Sequence, residues 1–331
     1  MIQFLGLHLN SRFAAATALG RDLSIWAKKR TEMINAVVDP STGIVEVPAG
    51  EWIRAGAYAL QEVYFQLPVK ARKPWGIGLS GPSGWIALDV AFEPLSPLRL
   101  VPSDTLLDDI QHWLKANPLL MRRINVLLSP KDYFRFILSG GLVADVTSAS
   151  RLGMLQARGT QWSRSRAEKT GLQISWLPPV FDAHVPTGRL SAEGIRRTSL
   201  PSGTWLIAGA HEVEAAILAA GDLRKKELWE LSGPGSEVHL AYGIDGLEGV
   251  TPPSEWRLVR SALAGQQLLE IGPQQPVDLE KSRAELEATG FAVSGIQRRT
   301  GEAEVGAAAL AAIGSGLIKS WDKYYKNRVV E

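Results

Sequence analysis

The chain has 331 residues, of which 45% are hydrophobic and 21% are charged, as in an ordinary globular protein. Its 36 basic and 34 acidic residues leave a net charge of +2, which predicts no field that would recruit nucleic acid or an acidic membrane surface. The lack of cysteine excludes disulfides and thiolate metal sites, and no apolar run reaches the roughly 18 residues that a membrane span needs. Together with an N-terminus unlike a signal peptide, these features predict a cytoplasmic protein.

The first part of the chain alternates between strand and helix patterns. The predicted elements are a β-meander over residues 4–30, helices over 51–67 and 103–117, and strands over 74–81 and 85–89. The meander turns at Gly20 and Arg21, and Ser103 is the predicted N-cap of the second helix.

The second part continues the alternation after a mostly helical or irregular stretch over residues 118–200. A strand, a turn and a helix follow at 205–221; the later predicted elements are strands over 228–233, 237–243, 267–272 and 291–297 and helices over 278–290 and 302–314. A meander followed by alternating helices and strands predicts an α/β fold. Because a second series of strands begins near residue 225, we expect two domains, 1–225 and 226–331.

The stretch GTWLIAGAHEVEAAILAAG (203–221) places His211, Glu212 and Glu214 directly after a buried strand. Acidic side chains in a first helical turn favour the helix dipole by about 0.3–1 kcal/mol, so these residues are compatible with an ordinary helix opening. A catalytic cluster is the alternative. A helical zinc site would need a second histidine four residues on, and position 215 is Ala215.

Several motifs in this order resemble the FGGY family of carbohydrate kinases. The stretch LLSPKDYFRFILSGGLVADVTSAS (127–150) resembles the family's Leu-Pro-Lys-Asp-Tyr, Leu-Thr-Gly and Thr-Asp-x-Ser-Asp-Ala-Ser run, with Ser148 in place of the second Asp. GIGLSGPSGWIALD (76–89) and LVPSDT (100–105) resemble two sugar-side segments, and the stretch at 203–221 occupies the place of the family's later strand and helix. The resemblance spans nearly the whole chain and implies a two-lobed ribonuclease-H-like (actin-like ATPase) fold, with the second lobe shortened between Gly243 and Leu268.

The same resemblance implies a sugar side of the cleft between the lobes. In the family, the turn after the later strand carries an Asp that acts as general base toward a sugar hydroxyl, and Glu212 stands at that position. The resemblance makes Asp104, Ser83 and Pro82 substrate-binding residues, although Leu106 replaces an arginine that follows the sugar-side Asp. Because general-base catalysis depends on hydrogen-bond distance, the extra methylene of Glu212 predicts a weakened base.

On the nucleotide side the chain departs further from the family pattern. The family's first strand ends in Asp-x-Gly-Thr-Ser, an acid near the metal followed by a phosphate loop, whereas this chain has His8 and Asn10 there. The cofactor-binding positions that the resemblance implies are Ser11, Arg12, Gly233, Gly235 and Gly272. Pro234 lies between two of these glycines and Pro273 follows the third, and a proline has no N–H to donate to a phosphate.

Three features stay open between a functional and a structural role. His8 and Arg12 would together hold an anion such as a sugar phosphate, or else pack at the end of a strand. Asp104 is either a ligand contact or an acid of the first helical turn. The family-like Lys131 and Tyr133 are expected to stabilise a contact between a helix and a loop.

The altered motifs predict an FGGY-type homologue that is a pseudokinase or a very weak kinase and binds a sugar-like ligand in the interlobe cleft. The alternative is an active ATP-dependent kinase of a pentulose or polyol with Glu212 as general base. ATP and Mg²⁺ are the cofactors that the family implies, but we expect MgATP to bind weakly or not at all, because magnesium prefers oxygen ligands to the imidazole of His8. The expected partner is a small carbohydrate, with no nucleic acid and no membrane; a homodimer or a regulatory protein partner is left open.

Overall fold

The computed structural model describes residues 3–156, 159–221, 223, 226–232, 239–245, 252–253, 256–262, 266–271 and 278–318. The strands are β1 (Gln3–Leu9), β2 (Phe13–Leu19), β3 (Ile25–Glu32), β4 (Val37–Val38), β5 (Val45–Val47), β6 (Pro74–Gly81), β7 (Gly84–Leu88), β8 (Leu98–Leu100), β9 (Val126–Leu128), β10 (Ala144–Asp145), β11 (Val180–Phe181), β12 (Pro186–Arg189), β13 (Trp205–Ile207), β14 (Ala210–His211), β15 (Glu227–Ser232), β16 (His239–Asp245), β17 (Arg257–Arg260), β18 (Gln266–Ile271) and β19 (Gly295–Thr300). The helices are α1 (Ala49–Gln66), α2 (Leu106–Ala116), α3 (Pro118–Met121), α4 (Pro130–Ser139), α5 (Val146–Ser150), α6 (Arg164–Thr170), α7 (Ala192–Thr198), α8 (Glu212–Ala220), α9 (Leu279–Ala288) and α10 (Ala303–Gly314). Short 3-10 turns cover Val69–Ala71 and Ile174–Trp176.

The first sheet has the strand order β12-β13-β6-β1-β2-β3, with β14 pairing beside β6. Strands β1, β2 and β3 pair antiparallel, which confirms the predicted meander. Strands β6 and β13 run parallel to β1 and to each other, so their carboxyl ends meet at one edge of the sheet. In open α/β sheets this edge is where ligands bind, and it carries the residues of interest here.

The second sheet has the order β17-β18-β16-β15-β19. Strand β15 pairs antiparallel with β16 and parallel with β19, and β16 pairs antiparallel with β18. Strands β15, β16, β18 and β19 therefore repeat the arrangement of β1, β2, β3 and β6, respectively, in the first sheet. Two such sheets define the expected two-lobed ribonuclease-H-like (actin-like ATPase) α/β fold, with the smaller sheet in the second lobe.

Helix α8 is a buried layer between the two sheets. On one side Ala215 and Ala219 pack with the core of the first sheet. On the other side Val213 and Ile217 pack against Trp229 of the second sheet. After its first turn, α8 is apolar on every side, and such a helix is stable only when it is covered on every side, as α8 is between the lobes.

Helix α10 lies against β1, β6 and α8, on the first sheet. The predicted second lobe, residues 226–331, includes this helix at 302–314, and that assignment is wrong because the helix packs on the first sheet. Its small side chains allow a very close approach: a Cβ added to Gly78 of β6 would lie 1.7 Å from the Ala307 carbonyl oxygen, and one added to Gly306 would lie 1.8 Å from that of Ala215. The close approach depends on glycines both in β6 and in α10 itself, which the Ala/Gly content of the helix alone does not reveal.

The other predicted elements differ from the structure mainly at their ends. Helix α2 begins at Leu106 with Thr105 as N-cap, so Ser103 is not the cap and Asp104 precedes the first turn. The last strand covers Gly295–Thr300 rather than 291–297. The stretch 118–200 contains four short strands, which were too brief to give a periodic pattern. None of the helices in the described ranges is long and apolar enough to cross a membrane.

A third sheet, ordered β4-β5-β8-β7-β9, extends from the first lobe. After β4 and β5, the chain returns to this sheet from β6 through a turn at Pro82 and Ser83, and it leaves β8 through Ser103 and Asp104 toward α2. Both segments that the resemblance assigned to the sugar side thus connect elements of the first lobe: one joins two sheets, and the other joins a sheet to a helix.

Candidate functional site

The carboxyl ends of β1, β6 and β14 bring His8, Ser80 and His211 to the same edge of the first sheet. His8 and Ser80 are register partners, and Ser80 Oγ lies 3.3 Å from His8 Nδ1. Strand β14 pairs with the end of β6 through Ala210 and His211, opposite Ser80 and Gly81. The strand order therefore assembles polar side chains from three separate segments of sequence.

Glu212 is the first residue of α8 and faces the end of β1. Its Oε2 atom lies 3.7 Å from His8 Nε2, and its side chain is 26% exposed. Glu212, assigned to the sugar side, therefore lies close to His8, which replaces the acid at the end of the first strand. The carboxylate is accessible to a small molecule in the cleft, while its role as a general base stays a prediction.

His8 is a neutral residue in this setting. Burial, together with the positive charge of Arg30, lowers the pKa of His8 to about 4. Arg12 is exposed at the neighbouring turn. Because His8 is buried and uncharged, the two residues do not form the cationic pair that would hold a sugar phosphate, and the structural interpretation of His8 is favoured.

The turn between β1 and β2 is closed by the side chain of Asn10. Its Oδ1 atom accepts hydrogen bonds from the backbone N–H groups of Arg12 and Phe13, both at 2.9 Å. The backbone N–H of Asn10 donates to the Phe13 carbonyl at 3.0 Å. The Arg12 and Phe13 N–H groups, which this turn would otherwise offer to a phosphate, are therefore used inside the turn itself. Ser11, which lies in the same turn, is half-buried.

A hydrogen-bonded row links the sugar-side turn to α8. His211 Nδ1 accepts from the Val213 N–H at 3.3 Å and so caps the helix. The ring proton is then on Nε2, which donates to Ser83 Oγ at 3.1 Å, and Ser83 Oγ is hydrogen-bonded to Ser103 Oγ. Ser83 is thus tied into the site, Pro82 beside it is half-buried, and Asp104 is exposed.

Residues of the 127–150 motif form a buried ion cluster behind this row. Lys131 Nζ lies 2.7 Å from Asp132 and 2.5 Å from Asp145. Asp145 also caps α5 by accepting from the Thr147 and Ser148 N–H groups, and Thr147 Oγ1 accepts from the His211 N–H at 2.7 Å. The expected structural role of Lys131 is confirmed, because the cluster holds α4, α5 and the β14 turn together.

A second buried cluster joins the lobes. Arg151 donates to Glu214 of α8 at 2.8 Å and to Glu270 of β18 at 2.6 Å. Burial opposes the charge of Arg151, but the two carboxylates outweigh it and raise the pKa of the arginine. This cluster was not predicted from the sequence, because Glu214 had the pattern of a helix-opening acid. Along the chain, Arg151 is separated from Glu214 by 63 residues and from Glu270 by 119.

Three of the cofactor-side residues cannot be placed. Gly233, Gly235 and Gly272, with the prolines beside them, lie outside the described residues. Within the ranges that the structure describes, no group of three or more His, Asp or Glu side chains is arranged to hold a metal ion.

Comparison with known proteins agrees with the fold and the order of the motifs. The sequence model of the FGGY family of carbohydrate kinases, N-terminal domain, matches residues 108–219. The probable L-xylulose kinase of Pasteurella multocida is 33% identical over 115 residues, which are 34% of this chain and 24% of that protein. The xylulose kinase of Bacillus subtilis is 24% identical over 216 residues, 56% of this chain and 43% of that protein. The solved xylulose kinase of Rhodospirillum rubrum is similar with a TM-score of 0.83 at 16% identity, covering 97% of this chain and 91% of that chain.

The two repeated sheets and the polar cleft between them define a protein of the actin-like ATPase fold. The family model and the curated relatives narrow this class, because residues 108–219 match the N-terminal domain of the FGGY family of carbohydrate kinases and the chain is similar to xylulose kinases. The match covers about a quarter of the length of the Pasteurella relative and less than half of the Bacillus one.

Proposed function

We propose that this protein is a pseudokinase of the FGGY family that binds a sugar-like ligand in the interlobe cleft without efficient phosphoryl transfer. The observation that supports this most directly is the closed β1–β2 turn, in which Asn10 takes up the Arg12 and Phe13 N–H groups. Phosphoryl transfer depends almost wholly on positioned donors and metal ions around the phosphates. A turn whose donors serve the turn itself contributes little to that task.

The residues at the end of β1 do not fit a magnesium–phosphate group. His8 is buried and neutral, with its two ring nitrogens directed toward Ser80 and toward Glu212 and Asn10. Magnesium prefers oxygen ligands at near-octahedral geometry, which an imidazole in this position does not supply. The loss of one fixed donor alone can cost about 2.7–4 kcal/mol in a transition state, so the combined changes weigh heavily against catalysis.

The sugar side of the cleft supports ligand binding. Ser83, Ser103 and His211 form a row of hydrogen-bonding groups, and Glu212 and Asp104 add two accessible carboxylates. Such a set suits a ligand that carries several hydroxyl groups. We retain residues 1–225 and 226–331 as the proposed lobes, with α10 returning from the second to the first, and a cytoplasmic location as part of the same proposal.

Thermal unfolding with and without ligands tests the proposal. We expect no magnesium-dependent rise in melting temperature at millimolar ATP and a clear rise with at least one member of a panel of pentuloses and polyols. One-site binding at a hundredfold excess over the Kd would stabilise the protein by about 2.7 kcal/mol, which is a readily visible shift. A magnesium-dependent shift with ATP, together with sugar-stimulated release of ADP, would overturn the pseudokinase assignment.

The second candidate is an active sugar kinase that uses Glu212 as general base. It is favoured by one observation, the accessible Glu212 carboxylate at the strand edge. If this candidate holds, ADP release stimulated by sugar should fall by a factor of 100 or more in Glu212→Gln, the range that one general base contributes. The matched control is Glu193→Gln in α7, a surface carboxylate paired with Arg196 and Arg197, which should leave the rate unchanged.

A further inference from the structure

The second sheet is attached to the first lobe at both of its outer edges as well as in the middle. Its strand order places β17 and β18 at one edge and β19 at the other, with β15 between them. Trp229 of β15 packs against Val213 and Ile217 of α8, which is the middle attachment. How far the two lobes can move relative to each other therefore depends on the contacts at the two edges.

The β17–β18 edge is held by side chains around the end of α5. Arg151, directly after α5, donates to Glu270 of β18 at 2.6 Å, and both side chains are buried. The backbone N–H of Arg260 in β17 donates to Ser150 Oγ at 3.2 Å, and its guanidinium donates to the Gly159 carbonyl at 2.8 Å. Because breaking a buried ion pair leaves uncompensated charges, this edge separates from the first lobe only at a high cost.

The β19 edge is held by a short and tightly packed connection. Strand β19 ends at Thr300, and α10, which packs on the first sheet, begins at Ala303, so two residues join them. The Gly301 N–H donates to the Ser232 carbonyl at 2.9 Å, which fixes the connection to β15. A Cβ added to Gly301 would lie 2.0 Å from the Ala216 carbonyl oxygen of α8. The connection is therefore packed against both lobes and has no length in reserve.

Attachment at opposite edges opposes the rotation by which two lobes close over a cleft. Hinge closure turns one lobe about a few residues, so contacts far from the hinge must separate. A hinge at β19 would break the contacts of Arg151 and Arg260, and a hinge at β17 would stretch the connection at Gly301. Rotation about a line through both edges would shear the apolar contact between Trp229 and α8. Domain motion is the usual expectation only where the interface is neither large nor hydrophobic.

We propose that the two lobes form one rigid body and that the ligand enters a cleft of fixed width, without lobe closure. This inference rests on the proposed sugar-binding function and describes how that site works. In enzymes that close over their substrate, closure excludes water and completes the catalytic site. A cleft that stays open keeps water at the ligand, which suits binding without phosphoryl transfer.

The distance between two spin labels, one in each lobe, tests this. The chain has no cysteine, so Ala116→Cys in α2 and Ala284→Cys in α9, both at exposed positions, carry the labels without further changes. Pulsed electron paramagnetic resonance of the full chain should give a distribution as narrow as that of a reference pair inside the first lobe, Ala116→Cys with Tyr58→Cys. Xylulose, xylitol or sorbitol should move its mean by less than about 2 Å, above which a change on binding counts as a rearrangement.

Two variants loosen the β17–β18 edge. In Arg151→Met and in Glu270→Gln, the distribution between the lobes should become wider than in the wild type, or should shift by more than about 2 Å when a sugar is added. The control is Arg196→Met, an arginine 69% exposed and paired with Glu193, which should leave the distribution unchanged. Glu270→Gln provides the test if Arg151→Met does not fold, because it keeps the volume of the side chain and an acceptor for Arg151.

The outcomes separate this inference from the proposed function. A wild-type distribution with two populations, or a shift of more than about 2 Å with a sugar that also raises the melting temperature, overturns the rigid interface and leaves the proposed function intact. Wild-type distributions in the folded Arg151→Met and Glu270→Gln variants also overturn it, because the β17–β18 edge then does not hold the lobes. If no sugar raises the melting temperature, the proposed function fails, and the ligand-free distributions still decide whether the lobes move.

Discussion

Two turns at the same edge of the first sheet have opposite characters. The turn from β1 into β2 is closed, because Asn10 Oδ1 binds the Arg12 and Phe13 N–H groups. The turn from β13 into α8 is open, because His211 caps the helix and leaves Glu212 at the first helical position with an accessible carboxylate. Both turns stabilise the fold, yet only the second presents a partly exposed carboxylate, that of Glu212, at this edge of the sheet.

The two buried charge clusters differ in what they hold together. Lys131, Asp132 and Asp145 lie inside the first lobe and bind one another. Arg151 binds Glu214 of α8 and Glu270 of β18 and so joins the lobes. The first cluster therefore stabilises one lobe, and the second stabilises the contact between the two.

The interlobe cluster should give the largest effect on stability. Arg151→Met leaves Glu214 and Glu270 buried without their partner, and breaking a buried ion pair in this way typically costs about 3–5 kcal/mol. Denaturant unfolding measures the loss. The control is Arg196→Met, an arginine 69% exposed and paired with Glu193, which should change the unfolding free energy by less than about 1 kcal/mol. Similar losses in the two variants would contradict a structural role for the interlobe cluster.

His8 should make the fold less stable in acid. The pKa of His8 falls from 6.5 in the unfolded chain to about 4 in the fold, so its contribution is complete above pH 6.5 and is lost as the pH falls toward 4. The full shift corresponds to about 3 kcal/mol. Between pH 7 and pH 4.5, His8→Gln should lose about 2–3 kcal/mol less than the wild type, with Arg30 and Glu212 left in place.

The matched control for this pH series is His112→Gln, since His112 is exposed on α2. Its unfolding free energy should fall with pH as steeply as that of the wild type. If His8→Gln also follows the wild-type curve, His8 is not held neutral by burial, and the argument against an anion site with Arg12 fails.

The contact between β6 and α10 should respond to a single methyl group. Gly78→Ala places a Cβ within 1.7 Å of the Ala307 carbonyl oxygen, so the helix must shift, at a cost of about 1–3 kcal/mol. Gly50→Ala in α1 meets no atom within 4 Å and should stabilise the protein by about 0.5–1 kcal/mol. Thermal and denaturant unfolding of the two variants distinguish a packing requirement from a general response to alanine.

Much of the fold could be predicted because it depends on local patterns. The apolar runs of β1, β2 and β3 and the strand-turn-helix around Trp205 and Glu212 have the periodicity that burial imposes. The position of α10 could not be predicted, because an Ala/Gly-rich helix is compatible with either lobe until the glycines of the partner strand are placed opposite it. Ser103 had the residue type of an N-cap, but a bond to Ser83 across two strands determines its position instead.

The candidate site was predictable only in part, for a related reason. Glu212 and Ser83 were found through motif positions, and both lie near the carboxyl ends of β1, β6 and β14, while their roles stay predictions. Arg151 has no motif, and its importance depends on charges brought together from distant parts of the chain. Burial and pairing decide what a charged residue does, and a single sequence does not record them.

The smallest stability effect, and the sharpest test of the two turns, is at Asn10. Replacing Asn10 by glycine removes the acceptor of two backbone N–H groups, which should cost about 1 kcal/mol of unfolding free energy, typical of lost side-chain to backbone hydrogen bonds. The same change frees the Arg12 and Phe13 donors, so Asn10→Gly should bind pyrophosphate several-fold more tightly than the wild type in calorimetric titration.

Asp39→Gly is the matched control, because Asp39 Oδ1 accepts from the Ser41 N–H in a similar turn outside the cleft. It should lose comparable stability and gain no affinity. If Asn10→Gly binds pyrophosphate no better than the wild type, the freed donors do not reach the cleft, and closure of the turn is not what separates this edge of the sheet from a phosphate site.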